Sequence, residues 1–108
     1  MPNPNAQRGE VWIVDLGYVA KIRPCLILNI PTQPHERRLV TIVPATTSVS
    51  ATRFEVSIKA KFLSSDSVFD AQQITTQPQV KLVRRIGSLT TDQILLVETA
   101  VKEWLGLS

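Results

Sequence analysis

The sequence has little of the residue types on which common catalytic and metal centres depend. It contains one cysteine, Cys25, and one histidine, His35. A single cysteine excludes an internal disulfide and a CxxC zinc site, and a single histidine excludes a histidine-based metal cluster or a histidine pair for acid–base catalysis. No Walker loop for nucleotides and no GxSxG nucleophile elbow occurs. We therefore expect a protein that works without a metal ion or an organic cofactor.

Long apolar runs are also lacking. No run approaches the roughly 20 residues needed to cross a bilayer, and the first nine residues, MPNPNAQRG, have no apolar core of the kind found in secretory signals. Cys25 lies inside a short apolar run and is expected to be a small buried core residue, not a nucleophile. His35 lies in a turn flanked by prolines and is expected to be solvated. These features predict a cytoplasmic protein with no membrane partner.

The charge of the chain is distributed unevenly. The net charge over 108 residues is +3. Residues 1–90 carry eleven lysines and arginines against six acidic residues, whereas residues 91–108 carry Lys102 against three acids. A basic body favours a polyanionic partner, although an ordinary solvated surface would look the same.

Short apolar or alternating runs separated by Pro, Gly and Ser are typical of β-strands. The strands predicted in this way are Glu10–Leu16, Cys25–Ile30, Leu39–Val43, Arg53–Lys59, Ser67–Ile74 and Val80–Ile86. Pro44 is expected to end the third strand, because proline has no amide hydrogen for a ladder, and residues 75–79 are expected to turn around Pro78. The pattern predicts a mainly β fold with one helix, a small curled sheet or barrel, over residues 8–108, preceded by a flexible arm at residues 1–7.

The clearest helix signal is at the end of the chain. Thr90 followed three residues later by Gln93 forms a capping-box pattern, and Leu89 with Ile94 fits a hydrophobic staple. A helical stripe follows, and Gly106 is a typical stop. The stripe consists of Ile94, Val97, Val101 and Trp104.

Three features remain that can bind an anion: Arg23, the Thr46-Thr47-Ser48 loop and the basic run Lys81–Arg85. An arginine fork fits a phosphate and stays charged in proteins, and threonine hydroxyls can donate to phosphate oxygens. Arg23 at the start of one strand and a threonine at the end of the next would meet at one rim of the sheet. The residues alone also allow a simpler interpretation, in which Arg23 pairs with a surface carboxylate and the threonines form a turn.

The order of several short motifs resembles a known family. RGEVWIVDLG, RPCLILN, TIVPATTS and FEVSI, followed by FDAQQI, VKLVRRIGSLT and the closing helix, are similar to the MazF/PemK toxin endoribonucleases of toxin–antitoxin pairs. The resemblance spans residues 8–107. It implies a small SH3-like β-barrel of the CcdB/MazF type with a C-terminal helix, a homodimer, and metal-independent, sequence-selective cleavage of single-stranded mRNA. The cognate antitoxin would be the protein partner.

The resemblance also implies roles for individual residues. Arg23 matches the catalytic arginine of the family's R-P motif, and Thr47 matches its catalytic threonine, with Thr46 as the second choice. Attack by the 2′-hydroxyl on the neighbouring phosphate would leave a 2′,3′-cyclic phosphate and a 5′-hydroxyl. An arginine and a threonine would stabilise the negative charge that gathers on the phosphate oxygens.

Further residues are candidates for contacts with RNA. Many family members have a longer loop before R-P, with a Ser-Glu-Gln segment; here only residues 18–22 are present, so a loop glutamate cannot be the general base. Tyr18 would stack on a base and Lys21 would contact a phosphate, or both are ordinary residues of a surface loop. Gln73 would read a base edge or make an ordinary strand hydrogen bond. The remaining candidates for the RNA groove are Lys81, Arg84 and Arg85.

Two other classes of function fit the same fold. One is a non-catalytic, CcdB-like gyrase poison, which would need no phosphate clamp. The other is a binding barrel for nucleic acid or peptide. The peptide version would need an aromatic-lined groove, for which six aromatic residues give little support.

Overall fold

Seven short strands and one C-terminal helix make up the part of the chain that the computed structural model describes, residues 6–17 and 21–107. The strands are β1 (Glu10–Asp15), β2 (Ile22–Ile27), β3 (Leu39–Thr46), β4 (Glu55–Ser57), β5 (Val68–Asp70), β6 (Thr75–Pro78) and β7 (Leu82–Ser88), and the helix is α1 (Thr91–Leu105). Single turns of 3₁₀ helix, Ala71–Gln73 and Gln79–Lys81, precede and follow β6.

The strands form one curled antiparallel sheet. Its order is β4-β5-β3-β2-β1-β7, and β6 pairs with β3 beside the β5 contact. The chain passes from β6, next to β3, through a 3₁₀ turn to β7, next to β1, so the sheet wraps around one of its faces. No ladder between β6 and β7 occurs in the described residues, so the curl does not close completely. The expected mainly β, SH3-like architecture with a C-terminal helix is confirmed, with the barrel in this open form.

The two faces of the sheet bury two separate apolar clusters, because side chains alternate along each strand. The face enclosed by the curl buries Ala6, Trp12, Val14, Cys25, Ile27, Val40, Ile42 and Leu82. The opposite face packs under α1 and buries Val11, Leu26, Val43, Ala45, Phe54, Ile58, Phe69, Ala71, Leu89, Val97, Ala100 and Val101. The sheet is therefore covered on both sides, which explains why β1, β2 and β3 are apolar on both faces.

Pro24 and Pro44 lie inside strands, although the sequence predicts that one strand begins after Pro24 and another ends at Pro44. β2 begins at Ile22 and ends at Ile27, not Cys25–Ile30, and β3 runs to Thr46 through Pro44. Pro24 pairs with β1 before the ladder to β3 begins. Pro44 lies where β3 changes partner from β6 to β5. At such positions a missing amide hydrogen costs no ladder bond, which is why the expected end at Pro44 is wrong.

The second half of the sheet also differs from the expectation. The strand expected at residues 53–59 is only Glu55–Ser57, although the flanking Phe54 and Ile58 are buried. The strand expected at 67–74 ends at Asp70, whose carboxylate caps the 3₁₀ turn by accepting from the Gln72 amide at 3.0 Å. The expected turn at 75–79 is β6, and β7 starts two residues later than predicted.

The C-terminal helix follows its sequence signals. The Thr90 hydroxyl accepts from the Gln93 amide at 3.2 Å, and the Gln93 side chain accepts from the Thr90 amide at 2.9 Å, so the predicted capping box is confirmed. Gly106 ends the helix in the left-handed conformation. The predicted stripe faces the core, and Trp104 at its end is 42% exposed and packs edge-on against Phe54.

The predicted flexible arm falls largely outside the described residues. Residues 1–5 are not described, whereas Ala6 is buried and the Gln7 amide donates to the Glu10 carboxylate at 2.8 Å. Arg8 forms an ion pair with Glu98 of α1 and donates to the Leu28 carbonyl at 2.8 Å. Within residues 6–17 and 21–107, no helix has the length and apolar character needed to span a membrane.

Candidate functional site: a cationic cavity at the rim of the sheet

Arg23 and the threonine loop meet at one rim of the sheet. β2 pairs with β3 in a register that places Cys25 opposite Pro44. Two further residues along each antiparallel strand lead to Arg23 and to Thr46, the last residue of β3. A cavity of about 500 Å³ opens here. It is lined by Lys21, Ile22, Arg23, Pro24, Ala45, Thr46, Thr47, Ser48, Phe62, Leu63, Ser64 and Ser67.

The two threonines have different surroundings. Thr46 is 8% exposed, and its Oγ1 accepts from the Ser48 amide at 3.0 Å. This bond turns the chain directly after β3. Thr47 is exposed at the cavity wall. The Thr46 hydroxyl therefore shapes the loop, and the Thr47 side chain is accessible to a bound molecule.

Cys25 lies beside Arg23 but faces the enclosed core. It is fully buried, and burial raises the pKa of its thiol to about 12, partly opposed by the positive charge of Arg23. Its Sγ donates to the Arg23 carbonyl at 3.5 Å. Because the thiolate is the nucleophilic form, this cysteine is inert at neutral pH, and the prediction of a buried core residue is confirmed.

The charge of the cavity wall has one sign. Its described lining residues include the cations Lys21 and Arg23 and several hydroxyl groups, but no carboxylate. Arg23 is half-buried and Lys21 is exposed. Such a wall suits an anion, and none of these described lining residues offers a carboxylate or imidazole base.

The segment of residues 62–67 forms the second wall and is not recognisable as such from the sequence. Phe62 and Leu63 pack against the core under α1, and Ser67 is 5% exposed. The Phe62 ring covers Gly87 of β7 so closely that a Cβ on Gly87 would lie 2.3 Å from the ring. This wall depends on contacts between residues far apart in the chain, for which no local motif exists.

The other predicted site residues do not line this cavity. Gln73 lies in the 3₁₀ turn, where its amide donates to Asp70 Oδ2 at 3.0 Å. Lys81 is in the turn before β7. Arg84 and Arg85 pair with Ile13 and Trp12 of β1, and Arg85 forms an ion pair with Glu10 at 3.6 Å.

Tyr18 lies outside the described residues, so the structure gives no position for it.

Arg84 and Arg85 are exposed on β7. Strand β1 lies between β7 and β2, the strand that carries Arg23.

Two more cavities are present, one next to this rim and one at the opposite end of β3. One, of about 460 Å³, shares Leu63 with the first and is lined by Lys59, Lys61, Ala60 and Ser65. Lys59 Nζ donates to the Ser65 carbonyl at 2.7 Å. The other, of about 560 Å³, lies at the opposite end of β3, beside Leu39, and includes Arg37 and the exposed His35. The cavity lined by Lys59 and Lys61, called the lysine cavity below, thus extends the cationic rim.

A metal site is not apparent in the part of the chain that is described. No three or more His, Cys, Asp or Glu side chains come together there in a way that would hold a metal ion.

Comparisons with known proteins agree on one family. The family described as PemK-like, MazF-like toxin of type II toxin-antitoxin system matches residues 7–105. The Mycobacterium tuberculosis toxin MazF-mt6 is 32% identical and has a TM-score of 0.75, over 92% of this chain and 98% of that one. A mycobacterial endoribonuclease, solved in complex with its cognate antitoxin, is 26% identical with a TM-score of 0.76, over 96% of both chains.

A more distant structure shares the fold alone. A chain of the MazE-MazF crystal structure from Deinococcus radiodurans is 19% identical, with a TM-score of 0.77 over the whole of both chains. Comparison with curated proteins gives no significant match.

Proposed function

Because this chain belongs to the PemK-like, MazF-like toxin family of type II toxin–antitoxin systems, we propose that it is an endoribonuclease that cleaves single-stranded mRNA at selected sequences. The observation that carries the proposal is the shared cavity of Arg23, Thr46 and Thr47, whose described lining is cationic and free of carboxylates. A phosphodiester is the anion that such a cavity in a toxin of this family would bind.

The proposed reaction is a transesterification within the RNA. The 2′-oxygen attacks the adjacent phosphorus, the bond from phosphorus to the 5′-oxygen breaks, and the proton released from the 2′-hydroxyl is balanced by one gained at the 5′-oxygen. The products are a 2′,3′-cyclic phosphate and a 5′-hydroxyl. The scheme uses no metal ion. The attacking hydroxyl and the phosphate belong to the same nucleotide and are already close together, and the side chains of the cavity stabilise the charge that develops on the phosphate oxygens.

Arg23 and Thr47 have distinct roles in this scheme. The guanidinium of Arg23 holds two non-bridging oxygens and offsets the charge that develops on them. The hydroxyl of Thr47 donates to the same phosphate and orients it. Thr46 stabilises the loop by accepting the hydrogen bond from the Ser48 amide. Arginine stays protonated in proteins and is therefore a poor proton acceptor, so we assign it no role as a general base.

The remaining cations and polar groups would guide the RNA strand. Lys21 contacts a phosphate next to the scissile one, and Tyr18 stacks on a base. The lysine cavity beside Leu63 offers the strand a continuation of the cationic rim through Lys61.

On β7, Arg84 and Arg85 would hold more distant phosphates, as would Lys81 in the preceding turn. Gln73 would read a base edge, after release from its present bond to Asp70. The contacts of Lys81, Arg84 and Arg85 are mainly electrostatic and would add affinity with little sequence selectivity, whereas the Gln73 contact would contribute selectivity.

The proposed protein partners follow from the family and its solved relatives. One mycobacterial relative was solved in complex with its cognate antitoxin, and we propose that a small acidic antitoxin likewise neutralises this toxin. We also propose a homodimer, in which the groove between two sheets would hold the RNA.

The test is cleavage of a long single-stranded RNA by purified protein in excess EDTA, with the chemistry of the new ends determined. We expect 2′,3′-cyclic phosphate and 5′-hydroxyl ends at a restricted set of sequences. Cleavage that stops in EDTA, or 5′-phosphate ends, would contradict the proposed chemistry. Inhibition of gyrase supercoiling with intact RNA would support a CcdB-like poison instead.

A further inference from the structure

The loop of residues 47–54, which carries Thr47 and Ser48 to the cavity, is held at its far end by the carboxylate of Glu55. The Ser50 amide donates to both Glu55 oxygens, at 2.9 and 3.2 Å, and the Thr52 amide donates to Oε1 at 3.0 Å. The Glu55 amide donates back to the Thr52 carbonyl at 3.2 Å. One side chain therefore closes the loop with several bonds.

The loop backbone needs this support. Ala51 has φ +57°, in the left-handed region that side chains with a Cβ disfavour. Hydrogen bonds from the amides of Ser50, and to a smaller extent Thr52 and Ala51, lower the pKa of the Glu55 carboxyl, so the group is ionised at neutral pH. Charge-assisted bonds of this kind are stronger than neutral ones and can stabilise an unfavourable turn.

The two ends of the loop are fixed by different elements. At the start, the Thr46 hydroxyl accepts from the Ser48 amide at 3.0 Å. At the end, Glu55 belongs to β4, which pairs with β5 and contacts α1. Between these anchors, Thr47 and Ser48 are exposed at the cavity wall. The location of the Thr47 hydroxyl relative to Arg23 therefore depends on both anchors.

We propose that Glu55 is a positioning residue, whose carboxylate holds loop 47–54 in the conformation that presents Thr47 and Ser48 to the substrate phosphate. Glu55 does not line the cavity and touches no reacting atom. The effect on catalysis rests on the proposed RNA cleavage, whereas the effect on the loop can be measured without any substrate.

The chain supplies a matched control in Glu36. The Gln33 amide donates to Glu36 Oε1 at 2.8 Å, and the Glu36 amide donates back to the Gln33 carbonyl at 2.9 Å. This is the same reciprocal arrangement as between Thr52 and Glu55, but it lies beside the cavity at the other end of β3.

The experiment compares wild type, Glu55→Ala, Glu55→Gln and Glu36→Ala by amide hydrogen exchange and by RNA cleavage under single-turnover and steady-state conditions. In Glu55→Ala we expect fast exchange at Ser50 and Thr52 and a fall in kcat of at least about tenfold, as small misplacements of catalytic groups cause, with a smaller change in KM. Glu55→Gln keeps one acceptor oxygen and should recover part of the rate. Glu36→Ala should cleave like wild type.

Several outcomes would overturn the proposal. These are wild-type kcat in Glu55→Ala, unchanged exchange at Ser50 and Thr52, or an equal loss of kcat in Glu36→Ala. If Glu55→Ala does not fold, Glu55→Gln decides, because wild-type exchange and kcat in that variant would show that the charge is not required. Absence of cleavage by wild-type protein would count against the proposed function alone, and the exchange result would still decide whether Glu55 holds the loop.

Discussion

Arg23 combines a permanent positive charge with a half-buried position at the rim of the sheet. A half-buried guanidinium is less screened by solvent and salt than an exposed charge, so it would interact more strongly with an anion. Lys21 next to it is exposed and offers a point charge on a flexible stem. We therefore expect tight, oriented phosphate binding to depend on Arg23 and not on the total charge of the cavity.

Gly87 provides a test of the wall formed by Phe62. The Gly87→Ala substitution would place a Cβ 2.3 Å from the Phe62 ring, so the ring must move. We expect a loss of stability of about 1–3 kcal/mol, as overpacking causes, measured by urea unfolding, together with slower RNA cleavage. In a Phe62→Ala background the extra methyl group has room, and its cost should nearly vanish. Equal costs in both backgrounds would contradict the packing described.

Single residues show how far the sequence could predict the site. Arg23 and Thr47 could be expected at one rim because consecutive strands often pair antiparallel, which brings the start of one strand next to the end of the other, but their catalytic roles come only from the family resemblance. Phe62 and Ser64 could not, because the segment that holds them reaches the cavity through packing against β7 and the core. Glu55 lies in the strand predicted at residues 53–59, and nothing in that pattern indicates its bonds to the loop.

At the scale of elements, the helix was predictable and the strand ends were not. The helix signals are local, since a cap, a staple and a stop act within one turn. Strand ends depend on partners: β6 contains Pro78 and reads as a turn, but in the described residues it pairs with β3 alone, so a proline at its end is tolerated. Pro44 is tolerated for a related reason, because it lies between the part of β3 that pairs with β6 and the part that pairs with β5.

Thr90 tests the contribution of the helix cap. Thr90→Ala removes the hydroxyl that accepts from the Gln93 amide, and we expect a loss of about 1 kcal/mol in the free energy of unfolding, measured in urea. The neighbouring Thr91→Ala is the control, because Thr91 is the first helical residue and is not the cap. That change should stay within about 0.5 kcal/mol. Similar losses for both variants would contradict the cap's role.

At the scale of the whole molecule, cationic side chains line two adjoining cavities at the candidate site. Lys21 and Arg23 line the first cavity, and Lys59 and Lys61 line the second, which shares Leu63 with it. The cavity at the other end of β3 contains Arg37 with Glu36 and is less one-sided in charge. A bound RNA strand is therefore expected to run along the first two cavities.

Salt dependence tests this path. We expect binding of an uncleavable, fully 2′-O-methylated RNA to weaken with salt, with a slope of about −0.7 in log K against log salt for each phosphate neutralised. Lys61→Ala should make the slope shallower by about 0.7, and Arg37→Ala, which removes the same charge elsewhere, should leave it unchanged. Identical slopes for both variants would rule out a phosphate at Lys61.

The most direct measurement is single-turnover RNA cleavage in EDTA by the Arg23→Ala variant, with folding verified by circular dichroism and with Arg37→Ala as a charge-matched control. We expect wild type and Arg37→Ala to cleave at similar rates and Arg23→Ala to leave the RNA intact. Cleavage by Arg23→Ala at the wild-type rate would contradict the role of this arginine at the scissile phosphate.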